Sequence, residues 1–144
     1  MPWSDSLLED TVMLRALCDS LPDALVLADT AGVIRLWNGA AVRLFGHTPE
    51  QAIGQNLNLL IPERFRPAHD AGFTRAVASG QLRTGHRVLR TRATASDGRR
   101  LYVDFTFGLL KDADGRVVGV SALARDATEA HLQQQAATPS GSKP

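Results

Sequence analysis

Four histidines and one cysteine are the side chains in this sequence best suited to metal or nucleophilic chemistry. They are His47, His69, His86, His131 and Cys18. Their spacing forms none of the Cys/His clusters that bind zinc, and a lone cysteine cannot close an internal disulfide. The cysteine content therefore favours the reducing cytoplasm.

The acidic residues and glycines form no catalytic motif. The sequence contains no nucleophile beside a general base, no glycine-rich phosphate loop and no pair of carboxylates at converging positions. We therefore expect that the chain is not an enzyme.

Length and charge narrow the class of protein further. A chain of 144 residues has room for one hydrophobic core. Its 16 basic and 15 acidic residues give a net charge of +1, which provides no electrostatic basis for binding nucleic acid or an anionic membrane. The acidic N-terminus differs from a signal peptide, and no apolar run reaches the ~18 residues of a membrane span. This composition predicts a soluble, cytoplasmic protein with one domain.

The elements that must position these residues begin with a helix, a hairpin and a second helix. Leucines near helical spacing favour an amphipathic helix over Asp5–Ser20. The β-leaning runs Ala24–Ala28 and Val33–Trp37 flank a glycine-containing turn and predict a hairpin. Asn38 is a suitable N-cap for a helix over Gly39–Phe45, because its side-chain oxygen can accept from free backbone amides.

Helical signals continue through the middle of the chain. The segment Thr48–Gln51 combines an N-cap, a proline at the first helical position and a capping-box partner. It predicts a short helix that ends near Ile53. A further turn is expected at Asn58–Ile61. Apolar positions in Arg66–Ser79 predict a longer helix, which contains His69.

Three β-leaning runs follow and are separated by turns that contain Asp and Gly. They are Gly85–Ala93, Arg99–Leu110 and Arg116–Arg125. In the second run apolar and polar residues alternate from Leu101 to Leu109, which is the period of a strand with one covered face. These runs predict an antiparallel meander.

Asp126 begins a last helix, which is expected to end near Ala136. The Ser, Gly, Pro and Lys content of the remaining residues is typical of a disordered tail. The predicted organisation is an N-terminal helix at 1–20, a central domain at 21–128, a C-terminal helix at 129–136 and a tail at 137–144.

The order of these elements resembles the bacterial PAS sensory domains, as do several short motifs. The motifs are Leu21-Pro22-Asp23-Ala24, Asp29-Thr30-Ala31-Gly32, Trp37-Asn38, Leu44-Phe45-Gly46, Gly54-Gln55-Asn56-Leu57, Pro62-Glu63-Arg64 and Arg125-Asp126-Ala127-Thr128. The resemblance implies an α+β PAS fold, in which helices pack on one face of a five-stranded antiparallel sheet. It also implies a function in signal transduction.

The last motif carries a further implication. In PAS proteins an Asp-x-Thr segment joins the final strand to a C-terminal signalling helix. The resemblance therefore implies that Asp126 and Thr128 couple ligand-driven changes in the sheet to that helix. A plain helix cap explains Asp126 equally well, so both interpretations stay open.

A narrower similarity concerns the ligand. The segment Pro62–Asp70 is similar to the proximal-histidine segment of the rhizobial oxygen-sensing haem PAS domains. This similarity implies that His69 ligates the iron of haem b and that Arg75 contacts a propionate. At equal spacing, the gas-contacting arginine of that family falls on Leu89, so the chain departs from the pattern there.

Other interpretations of the same residues remain. Arg87 and Arg90 flank the departing position and could replace the missing arginine only if the strand register shifted. His69 could equally be a helix-surface residue beside Asp70 or Glu63. The cleft between sheet and helices would then hold another small molecule or none.

The apolar residues expected to line or fill this cleft are Leu36, Leu44, Phe45, Ile53, Leu57, Leu60, Phe73, Val77, Val88, Val103, Phe105 and Leu123. Periodicity does not separate the two roles. Cys18 lies outside the central domain, so the reactive cysteine of flavin photosensor PAS domains is missing. The histidines at 47, 86 and 131 are expected to be solvated.

Two functions fit this sequence. The first is a stand-alone sensory module that binds a small ligand or cofactor, with haem b as the candidate, and signals to a partner such as a kinase or regulator. The alternative is a ligand-free interaction module. In both, the helix Asp5–Ser20 is expected to form a homodimer, because its leucines must be covered; the chain's own sheet is the other surface that could cover them.

Overall fold

A five-stranded antiparallel sheet forms one layer of the molecule. Helices from the middle of the chain cover one of its faces, and the C-terminal helix lies on the other. The computed structural model describes residues 11–137. The strands are β1 (Ala24–Asp29), β2 (Ile34–Trp37), β3 (Leu89–Thr94), β4 (Arg100–Lys111) and β5 (Val117–Asp126). Their order in the sheet is β2-β1-β5-β4-β3, and every neighbouring pair is antiparallel. The predicted fold class is confirmed.

The helices lie close to their predicted positions. They are α1 (Thr11–Ser20), α2 (Gly39–Phe45), α3 (Pro49–Ala52), α4 (Arg66–Ser79) and α5 (Thr128–Ala137), with 3-10 turns at Leu57–Leu59 and Glu63–Phe65. The predicted bounds of α2 and α4 are confirmed. The predicted start of the first helix, residues 5–10, and the tail from residue 138 lie outside the described residues.

The core lies between the helices and the covered face of the sheet. On β4, Leu101, Val103 and Phe105 are buried, whereas the residues between them are half-buried. This confirms the predicted alternation from Leu101 to Phe105, whereas Thr106 to Leu109 are all half-buried. From the helix side, Phe45 is fully buried and its ring centroid lies 5.5 Å from that of Trp37. One half of the sheet is therefore firmly covered.

Asn38 is a buried polar residue that joins three elements. This residue is only 1% exposed. Oδ1 accepts hydrogen bonds from the amides of Leu25 (2.8 Å) and Ala41 (3.0 Å). Nδ2 donates to the carbonyl oxygens of Cys18 (2.8 Å) and Asp23 (3.1 Å). The predicted N-cap is confirmed, and the amide group also binds β1 and the end of α1.

Strand β3 begins later than predicted. Residues from Gly85 onward were expected in the strand, which starts at Leu89. Residues 83–86 form turns instead. Gly85 has a left-handed φ of 58°, and the amide of Arg87 donates to the carbonyl of Thr84 at 3.2 Å. These local turns interrupt the extended run.

Some apolar residues predicted for the cleft lie elsewhere. Leu36 pairs with Leu27, and Leu123 pairs with Leu25, on the face opposite the core. Leu123 is 40% exposed, and Val88, which precedes β3, is 63% exposed. Both faces of β1, β2 and β5 carry apolar residues, so an alternating pattern could not identify the inward face.

Ile53 was also predicted to line or fill the cleft, and that prediction is wrong. It follows α3 as its C-cap and is 41% exposed. Ala52, one residue earlier, takes the buried position at the end of this helix. A helix of four residues buries only the side chains on its inward side, and Ile53 lies beyond it.

Replacing Asn38 with alanine is expected to lower the free energy of unfolding by about 2–4 kcal/mol, because several buried backbone groups lose their partner. Urea unfolding measures this change. Asn58→Ala is the matched control: the Asn58 side-chain oxygen is buried and has no hydrogen-bond partner among the described residues. A control as unstable as Asn38→Ala would contradict the assignment.

Candidate functional site

Helix α4 presents one stripe of side chains to the sheet. At positions i, i+4, i+7 and i+8 the stripe consists of His69, Phe73, Ala76 and Val77, all of them buried or half-buried. The helix contacts β5. The structure therefore places His69 on the inward side of α4, whereas Arg75 is exposed.

The imidazole of His69 has an unused nitrogen. Its Nδ1 is buried and has no hydrogen-bond partner among the described residues. Oδ1 of Asp70 lies 3.7 Å away, which is longer than a hydrogen bond. The ring is 6.2 Å from the ring of Phe73, between centroids, and the side chain is 30% exposed. A buried side-chain nitrogen without a hydrogen bond is unusual, and the nearest charged group to this one is the Asp70 carboxylate.

Leu89 lies on the covered face of the sheet. It pairs with Phe105, whose side chain belongs to the core. Arg90, the next residue, pairs with Asp104 on the opposite face. Arg87 is exposed and precedes the strand. The register is therefore regular, and neither arginine takes the place of Leu89.

The covered face of the sheet is not fully buried beside α4. Leu89 is 42% exposed although it lies on the covered face. Beyond Phe105, the residues of β4 on this face and their partners on β5 are only half-buried. They are Phe107, Leu109, Val120 and Ala122. Apolar side chains that stay exposed on a covered face mark an incomplete cover. This part of the covered face, beside the stripe of α4 that carries His69, therefore stays partly accessible.

The C-terminal helix is attached to the opposite face of β4 through Tyr102. The backbone of Tyr102 donates to Oγ1 of Thr128 (3.0 Å) and accepts from the amide of Ala127 (2.7 Å). The ring of His131 stacks on the Tyr102 ring, with 3.7 Å between centroids. Asp126 Oδ1 accepts from the Thr128 amide at 2.9 Å. His131 was expected to be solvated; instead it holds α5 on the sheet.

Arg90 connects β3, β4 and α5. Its Nε and Nη2 donate to the two carboxylate oxygens of Asp104 at 2.8 and 3.1 Å, and its Nη1 donates to Oε1 of Gln134 at 3.3 Å. The hydrogen bond from Arg90 lowers the pKa of Asp104 below its ordinary value, and the same bond raises the pKa of Arg90. Sequence patterns gave no sign of this bridge.

The described residues contain neither a cluster of metal ligands nor a membrane-spanning helix. Between residues 11 and 137, no group of three or more His, Cys, Asp or Glu residues is placed to hold a metal ion. In the same range, no helix has the length and apolar character needed to cross a membrane.

The order of the strands, the helical cover and the Asp-x-Thr junction agree with one known family. Residues 18–132 match the family described as PAS fold. The chain belongs to this family. The predicted resemblance is confirmed.

Two curated relatives of this PAS domain are named as sensors. It is 34% identical over 131 residues to sensor protein FixL of Bradyrhizobium diazoefficiens. The matched region covers 85% of this chain and 24% of FixL. It is 28% identical over 126 residues to oxygen sensor protein DosP of Escherichia coli. That matched region covers 88% of this chain and 15% of DosP. The chain thus spans no more than a quarter of the length of these relatives.

Solved structures share the fold. A PAS domain of a protein from Colwellia psychrerythraea superposes with a TM-score of 0.71 and 27% identity, covering 83% of this chain and 99% of that chain. An RNA-binding light-oxygen-voltage receptor superposes with a TM-score of 0.75 and 22% identity. The superposition covers 94% of this chain and 39% of the receptor chain. The second likeness concerns the fold alone.

The contacts of Thr128 predict a local effect. Thr128→Val keeps the side-chain shape but removes the acceptor of the Tyr102 amide, so α5 should exchange its amide hydrogens roughly fivefold faster. Hydrogen exchange measured residue by residue tests this. The control is Thr106→Val. Thr106 lies on the same face of β4 as Tyr102, and its side chain forms no hydrogen bond with the described residues. Unchanged exchange in α5 would contradict the attachment.

Proposed function

We propose that this PAS domain is a sensory module that binds a flat apolar ligand in the cleft beside α4, with haem b as the candidate. The observation that supports this most is the position of His69 on the stripe of α4 that faces the sheet, beside apolar residues that stay half-buried or exposed. Its Nδ1 has no hydrogen-bond partner among the described residues. The names of two relatives, a sensor protein and an oxygen sensor protein, agree with a sensory role.

The residues around the cleft suit haem. His69 would ligate the iron, because imidazole is a common axial ligand. Phe73, Val77 and Leu89 provide apolar surroundings, and the exposed guanidinium of Arg75 on the same helix would contact a propionate. When bound, haem supplies the iron at which a gas binds.

Leu89 would set the polarity of the cleft. It offers no hydrogen-bond donor on the covered face, whereas the polarity of a haem pocket influences which gas is held. Arg90 is engaged on the opposite face with Asp104. A pocket of this composition would favour a gas that binds the iron without accepting a hydrogen bond from the protein.

The ligand state would reach α5 through β3. Leu89 is adjacent in sequence to Arg90, whose guanidinium holds Gln134 of α5. A ligand that displaces Leu89 would therefore shift the contact at α5. Asp126 and Thr128 would act as the hinge of this helix, because they fix its first turn. The proposed receiver is a signalling protein of the cytoplasm, such as a kinase or a regulator.

A second function, a homodimeric interaction module, is favoured by the exposed surface of α1. Val12, Leu14 and Leu17 are 74%, 44% and 57% exposed. Apolar side chains grouped on one helix are stabilised when another surface covers them. We propose that two copies of α1 cover each other. A sensory domain could use the same dimer.

The first experiment tests haem binding. The protein is mixed with haem, and the Soret band and the affinity are measured. We expect a strong Soret band for the wild type and a loss of affinity for His69→Ala, because the iron loses its ligand. His86→Ala, at an exposed position, is the control and should behave like the wild type. If His69→Ala keeps the wild-type spectrum and affinity, the assignment is wrong.

The second experiment tests the dimer. Leu17→Glu places a charge on the exposed surface of α1 and leaves the bonds from Cys18 and Asp19 to the core in place. Analytical ultracentrifugation should show a dimer for the wild type and a monomer for this variant. Leu132→Glu, at a 54% exposed position on α5, is the control. A monomeric wild type would exclude the interface.

A further inference from the structure

A second pocket lies beside the edge strand β3 and shares no residue with the inward stripe of α4. It has a volume of about 540 Å³. Its lining includes Arg64, Arg92, Arg100, Glu63, Thr94 and Gly98. Small-molecule sites in proteins have volumes of roughly 300–1,000 Å³, so the pocket is large enough for a small ligand.

The three arginines of the pocket carry unneutralised charge. Among the described residues, Arg64, Arg92 and Arg100 form no salt bridge. The guanidinium of Arg64 lies 4.6 Å from the centroid of the Phe65 ring, and that of Arg92 lies 5.4 Å from the centroid of the Tyr102 ring. Aromatic faces orient a guanidinium without cancelling its charge, so its donors stay available.

The backbone of β3 adds a donor at the same place. The amide of Thr94 points away from β4, since it donates to the carbonyl of Leu60 at 3.0 Å. In an antiparallel pair the outward direction recurs every second residue, and the register of β3 with β4 is regular. The amide of Arg92 therefore also points to the free edge, beside the pocket.

The surrounding segment strengthens the positive potential. Residues 62–100 contain nine arginines and three acidic residues, although the whole chain has nearly equal numbers of basic and acidic residues. Glu63 is the acidic residue of the pocket lining. The pocket lining itself carries three arginines and one carboxylate, and a concave surface with an excess of one charge attracts ligands of the opposite charge.

We propose that this pocket binds a small ligand that carries carboxylate or phosphate groups. Guanidinium groups donate pairs of parallel hydrogen bonds to such oxyanions. The three arginines and the Arg92 amide supply donors on several sides of one cavity. The site is independent of the proposed haem site, because His69, Phe73 and Leu89 do not line it.

The test is a titration of the full chain with citrate and, separately, with pyrophosphate at low ionic strength, followed by NMR. Saturable shifts are expected for the Arg92 amide and for the Nε–H groups of Arg64, Arg92 and Arg100. Added NaCl should weaken the binding, because salt screens exposed charges. Binding of citrate alone would assign a carboxylate ligand, and binding of pyrophosphate alone a phosphate ligand.

Matched variants separate a built site from general attraction. Arg100→Gln should weaken binding about fivefold, and Glu63→Gln should strengthen it. Arg116→Gln removes the same charge at an exposed position in the turn between β4 and β5, and should change the affinity little. Equal weakening by Arg100→Gln and Arg116→Gln would overturn the proposal. So would the absence of saturable shifts with both anions.

Discussion

The arrangement of helices on the sheet depends on the four hydrogen bonds of Asn38. A side-chain amide can donate two and accept two hydrogen bonds, and in Asn38 all four are used inside the protein. The same group caps α2, binds the backbone of β1 and receives the end of α1. Since α2 contacts β1 and β5, this one side chain fixes the covered half of the sheet. The cleft beside α4 lies at the other half.

Local rules recovered the elements that local bonds determine. The N-cap at Asn38, the capping box from Thr48 to Gln51 and the bounds of α4 all follow from residues close in sequence. The start of β3 and the inward faces of β1 and β5 did not follow, because they depend on which strand lies alongside. His69 was found through a family resemblance, and its inward placement then came from the helix.

Two parts of the site escaped sequence analysis for the same reason. The bond between Arg90 and Gln134 joins residues 44 positions apart, and the Tyr102–His131 stack joins β4 to α5. Neither residue pair has a local pattern that distinguishes it from a solvated surface. The two halves of the covered face also differ for a non-local reason. Phe45 and Trp37 fill one half, whereas α4 buries only Ala76 over the other.

The pairing of β1 with β5 has a consequence for how the chain is made. Ala24 lies opposite Ala124, and the Asp23–Arg125 ion pair spans 102 positions. During synthesis, the hairpin of β1 and β2 is complete long before β5 has left the ribosome. Until then the free edge of β1 exposes backbone groups that can pair with another chain. Because β5 is the central strand, the β1–β2 and β3–β4 pairs can join into one sheet only after β5 has been made.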